Sequence, residues 1–197
     1  MKSTPRACLQ STLAAVLCLL AGTAVAHPLH GGGLAGGLAH PFLGLDHLLA
    51  MTAVGAWAQQ QGGRARWAIP AAFLGAMAAG GLAAATGVTG FIAASTVESL
   101  VAASVLVTGL LLAMRARQIA LGATVVSAFA FFHGAAHMTE LPGGASAVVF
   151  ALGFLVATAA LHGLGLLTGR VLLQVNSLRW AGAGVAVAGA WLLQSAT

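Results

Sequence analysis

The chain of 197 residues is 59% hydrophobic and 6% charged, with a mean hydropathy of +0.97. That balance leaves too little polar surface for a compact soluble domain. The formal net charge of +5 comes from a few Lys and Arg set in pairs between apolar runs, not along one face; this excludes a nucleic-acid-binding surface and marks them as topology signals.

At the amino end, Lys2 and Arg6 precede the apolar run from Leu13 to Leu20, and Ala24-Val25-Ala26 supplies small residues at the positions signal peptidase reads. Residues 1–26 are therefore expected to be a cleaved signal peptide, with an uncleaved helix over 7–26 as the alternative. Cys18 follows Leu17, which speaks against a lipoprotein signal. Both cysteines, Cys8 and Cys18, would leave with the signal, so a metal site in the mature chain must use nitrogen, oxygen or methionine sulfur. Cleavage leaves His27 at the new amino terminus. The stretch 27–37, with His27, His30 and several glycines, is expected to be a flexible exported arm in which both histidines either meet metal or are simply solvated.

Six apolar windows follow, at roughly 38–59, 67–86, 91–114, 118–138, 146–168 and 178–195, each long enough to cross about 30 Å of hydrocarbon. The expected fold is an all-α, polytopic membrane helix bundle, a single transmembrane domain over 27–197. Arg64 and Arg66, Arg115 and Arg117, and Arg170 and Arg179 occupy alternate connections. The positive-inside rule makes that side cytoplasmic and places the mature amino and carboxyl termini in the periplasm of a bacterial inner membrane. Glycines within the spans, such as Gly80 and Gly81, allow close helix contact in lipid.

Nearly all the ionisable groups other than arginine lie in or beside these spans, where charge is costly and marks an ion or substrate path. The first span contains His40-Pro-Phe-Leu-Gly-Leu-Asp46-His47. In a continuous helix the two imidazoles, about two turns apart, share a face, and Pro41 falls in the first turn. Met51 lies one turn deeper, either filling space or offering sulfur. Glu98 in the third span is a candidate ligand, with a neutral acid hydrogen-bonded to Ser95, Ser99 or Thr108 as the alternative. In the fourth span His133, His137 and Glu140 form one stripe, a spacing that lets two imidazoles reach a single ion with a carboxylate beside them. Hydrogen bonding between helices is the competing role. His162 stands alone in the fifth span, toward its cytoplasmic end, where an ion leaving the outer cluster would pass.

The segments His40-Pro41…Gly44…Asp46-His47 and Phe132-His133-Gly134…Ala136-His137…Glu140 resemble those of the HupE/UreJ nickel permeases, accessory proteins of hydrogenase and urease systems. The resemblance extends to Glu98 and His162 in looser surroundings and spans the whole chain. Met138 replaces a glycine frequent in the family, either tightening packing or adding a sulfur. The resemblance implies uptake of a divalent transition-metal ion, nickel first and cobalt second, with no permanently bound cofactor. His40, Asp46, His47, Glu98, His133, His137 and Glu140 are then the metal-binding set; His162, with His27, His30 and Met51 added from the residue reading above, are the candidates for the rest of the path. The partners expected are the metal ion, the lipid bilayer and a hydrogenase or urease maturation system. No P-loop is present, so transport would be passive or coupled to protons or membrane potential. An intramembrane metal-dependent hydrolase lacks the H-E-x-x-H order, and a sensor or metal chaperone that binds without transporting is the third possibility.

Overall fold

The computed structural model describes residues 33–141 and 143–196. The expected signal peptide, both cysteines, His27 and His30 lie outside the described residues. Among the described residues seven helices follow one another: α1 (Leu34–Leu43), α2 (Leu45–Gln61), α3 (Ala65–Ala85), α4 (Ala94–Ala113), α5 (Ile119–Thr139), α6 (Ala147–Gln174) and α7 (Leu178–Ser195). Helix is the form such a sequence must take in lipid, because it satisfies each backbone N–H and C=O within its own segment. By length and composition α3, α4, α5 and α6 are each able to cross a membrane. Large apolar side chains such as Phe91, Trp67 and Val187 point outward, as expected of an integral membrane helix bundle.

Small residues decide which helices touch. A Cβ at Gly109, Gly182 or Gly189 would collide with the backbone of the facing helix, so α4 and α7 pack backbone to backbone, Gly109 at Ala186 and Gly182 at Ala113. Rising numbers on α4 meet falling numbers on α7, which makes the pair antiparallel. Gly55 lies against the His162 carbonyl and Gly169 against Ala56, so α2 and α6 run parallel. Gly134 sits on the Met77 carbonyl and joins α5 to α3. In lipid such contacts act through dispersion and close fit, since the surrounding tails are as apolar as the side chains.

The arginine-bearing connections gather at one end of the bundle. Gln61 Nε2 donates to the Ala116 carbonyl at 2.8 Å, and Gln60 Nε2 to Leu112 at 3.1 Å, fastening the end of α2 to the end of α4. Arg115 donates to Asn176 Oδ1 at 2.7 Å, tying the α4–α5 connection to that between α6 and α7. Exposed Trp67 and Trp180 lie at the same end, the latter with Arg179 4.7 Å above its ring; aromatic and basic residues together suit a membrane–water interface.

Three expectations change. The first span is not continuous: Gly44 is extended, with φ −91° and ψ 121°, and separates α1 from α2. Pro41 lies near the end of α1, where its missing N–H leaves the Gly37 carbonyl without its helical donor and the helix stops within a turn. The arm expected over 27–37 is helical from Leu34, and Gly37 is buried against the Phe150 backbone. Finally, α6 runs on to Gln174, beyond the expected limit at 168. At 28 residues it is about 42 Å long, more than the hydrocarbon thickness, so His162 lies midway along it.

Candidate metal-binding site

The break at Gly44 builds the site. In an unbroken helix, residues seven apart are separated by about 10 Å along the axis, whereas the His40 and His47 rings stand 5.7 Å apart, edge to face. His137 of α5 closes the group, 4.7 Å from the His40 ring and 4.6 Å from that of His47. One ligand atom from each of these three histidines lies within 4.8 Å of the other two. His47 and His137 are buried, and His40 is partly so. Phe154 stacks on His137 with centroids 4.5 Å apart and planes 18° from parallel, and Phe150 closes the side next to His40.

The carboxylates orient the rings. Asp46 Oδ1 accepts from the His47 backbone N–H at 2.7 Å and contacts His47 Nδ1 at 2.8 Å. An ionised carboxylate is acceptor-only, so the proton sits on Nδ1 and the lone pair on Nε2, an atom that is buried without a hydrogen-bond partner among the described residues. Asp46 also places negative charge in the first turn of α2, whose positive dipole end would otherwise repel a cation. Gly44 makes room for this pair: a Cβ there would stand 2.7 Å from Asp46 Oδ1 and 3.0 Å from His47 Nδ1. At the mouth, beyond the end of α5, half-exposed Glu140 holds His40 Nε2 at 2.7 Å. Burial alone would raise the Glu140 pKa, but the His40 hydrogen bond and the charges of His40 and His47 outweigh it and hold the carboxyl below its ordinary value.

His133, one turn before His137, lies 4.9 Å from the His47 ring and extends the group inward. Its partner is Ser104 of α4, which the sequence reading missed. The Ser104 hydroxyl has one proton and donates it to the Val101 carbonyl at 2.6 Å; it must therefore accept from His133 Nε2–H, 2.8 Å away. The lone pair of His133 is left on Nδ1, which is buried without a hydrogen-bond partner among the described residues. Phe73 of α3 then bridges to His162, its ring 5.8 Å from His133 and 4.9 Å from His162. Phe73 had no signal in the sequence beyond its apolar character, while Ser104 was detectable as a hydroxyl in an apolar span.

Two further residues resolve. Met138 is partly buried, and its Cγ would lie 3.4 Å from a Cβ at Gly81, so its packing against α3 is what the structure supports. Glu98 is exposed on α4, beside Val97, which packs with Ala136, and it joins none of the ring contacts just described. The structure brings His40, His47 and His137 together, sets Asp46, Glu140 and His133 against them, and leaves Glu98 outside.

Fold and site together define an integral membrane protein with nitrogen donors clustered inside a helix bundle. Residues 15–192 match the family described as HupE / UreJ protein, and the chain belongs to that family. It is 43% identical over 192 residues to Protein HupE of Rhizobium leguminosarum bv. viciae, an alignment that covers 93% of this chain and 97% of the relative. No solved structure matches the chain.

Proposed function

We infer that the protein is a secondary transporter that takes up a divalent transition-metal ion, nickel first, across the cytoplasmic membrane for metalloenzyme maturation. The observation that carries this reading is the convergence of His40, His47 and His137 within 4.8 Å inside a membrane bundle, next to buried ring nitrogens of His47, His133 and His137 that no group among the described residues satisfies. Leaving such a donor or acceptor unmade costs about 1–3 kcal/mol each, a cost that a bound cation offsets by accepting the lone pairs. Imidazole ligands suit nickel, cobalt, zinc and copper and do not suit magnesium or calcium, so the choice of nickel rests on the family.

The break between α1 and α2 fits transport. Discontinuous helices in transporters place helix ends and irregular backbone at the ion site, and here His40 stands in the last turn of α1 while Asp46 offsets the amino end of α2. In the topology proposed, α1 and α2 form one of six crossings, the arginine end is cytoplasmic and the His40–Glu140 mouth opens to the periplasm. An ion would shed water at Glu140 and His40, settle among the three imidazoles and pass His133 on its way inward. Ionisable side chains facing the interior of a membrane bundle are what an ion path requires.

Uptake of radioactive nickel by cells without other nickel importers tests this, with His47→Ala and His133→Ala at matched membrane levels and cobalt and zinc as competitors. Accumulation with the native chain and its collapse in both variants is the expected result. Absence of accumulation for every metal would leave binding without transport, or hydrolysis, as the function.

A further inference from the structure

Below the three-histidine cluster, the parallel pair α2 and α6 sets Met51 beside Thr158, with His162 one turn further along α6 at the level of Gly55. Met51, one turn after His47, is fully buried, and its sulfur accepts from the Thr158 hydroxyl at 3.3 Å. That bond is unusual within this bundle. Thr52, Thr86, Thr124 and Thr168 each donate to the carbonyl four residues earlier in their own helix. Thr158 instead turns across to the sulfur of α2 and fixes its direction. His162 follows Thr158 by one turn on the same face of α6, and helical side chains lean back toward the preceding turn. Gly55, one turn after Met51, touches the His162 backbone and holds the two helices at this level. His162 is 2% exposed, and neither of its ring nitrogens has a hydrogen-bond partner among the described residues.

We propose that Met51, Thr158 and His162 form an inner cation site, separate from the three-histidine cluster, that receives the ion after His133 and binds late first-row divalent metals through imidazole nitrogen, thioether sulfur and hydroxyl oxygen. It rests on the transport reading for its place in the path, but not for its existence as a binding site. Sulfur and imidazole select borderline and soft cations and give nothing to magnesium or calcium. With one strong donor and two weak ones the site holds its ion less tightly than the outer cluster, which a path needs at a point of departure. Phe73, in contact with both His133 and His162, forms the apolar wall between the two sites.

The test is equilibrium dialysis of the full purified chain in lipid nanodiscs against nickel, paired with uptake into proteoliposomes. Met51→Leu, close in volume, and His162→Gln probe the inner site; His137→Ala probes the outer. The native chain should show a tight and a weaker binding phase. Met51→Leu and His162→Gln should weaken the second phase by about tenfold or more and leave the first unchanged, with maximal uptake reduced at an unaltered half-saturating concentration. His137→Ala should remove the tight phase. A single phase in the native chain, or both phases intact in Met51→Leu and His162→Gln, overturns the inner site. If the native chain carries no nickel into vesicles, the transport reading falls, and the second binding phase still decides whether the site exists.

Discussion

Replacing Asp46 separates a carboxylate that orients a ligand from one that is a ligand. Its Oδ1 holds His47 twice, through the backbone N–H at 2.7 Å and Nδ1 at 2.8 Å. With Asp46→Ala the imidazole loses the acceptor that keeps its proton away from the metal-facing nitrogen. A hydrogen bond to a charged partner contributes about 1.5–3 kcal/mol, and loss of such an orienting partner lowers metal affinity by about 10–100-fold, which is about 1.4–2.7 kcal/mol. The two routes to the magnitude agree. Asp46→Asn retains an amide oxygen that can still accept from Nδ1–H, so its loss should stay under about tenfold. Nickel titration of the purified chain by calorimetry, with thermal unfolding as a check on folding, measures both. Affinity kept within about twofold in a folded Asp46→Ala protein would refute the orienting role. Equal losses in the alanine and asparagine variants would refute it as well, since they would point to the charge itself on the ion.

Ser104→Ala should leave His133 Nε2–H buried and without an acceptor, lowering stability by about 1–3 kcal/mol and slowing uptake; nitrogen NMR of labelled histidine should show the native His133 protonated on Nε2, and protonation on Nδ1 would contradict the hydrogen-bond assignment. Gly44→Ala should push Asp46 from His47 and reduce nickel affinity with little change in melting, whereas Gly143→Ala, with open space around it, should change neither; the comparison is made by titration and thermal unfolding. Gly134→Ala drives a methyl into the Met77 carbonyl and should destabilise the bundle by about 1–3 kcal/mol or more, against no such loss for Gly163→Ala, whose added carbon meets nothing; unfolding in detergent at matched conditions reads the difference.

The parts of the fold that depend on local chemistry were readable in the sequence. The arginine pairs at alternate connections required one common end, and the hydrogen bonds of Gln61 and Arg115 join those connections there. His133 and His137, one turn apart, needed only helix geometry to be paired. The break at Gly44 was not read, although Pro41 and Gly44 stand together in the sequence, because both residues also occur inside membrane helices whose neighbours satisfy the freed backbone groups. Overlooking it hid how closely His40 approaches His47. Glu98 shows the opposite limit: a carboxylate in an apolar run is a good indicator of function, but periodicity gives no azimuth relative to the other helices, and its face of α4 turns outward. Ser104, on the face that meets α5, contributes the hydrogen bond instead.

Nickel flux into sealed proteoliposomes containing only the purified chain, followed with a metal-sensitive dye trapped inside, tests the transport claim most directly. Saturable entry with the native chain, abolished by His137→Ala in protein that still folds, is the predicted result. Tight nickel binding without any flux, under both an imposed proton gradient and an imposed membrane potential, would contradict it.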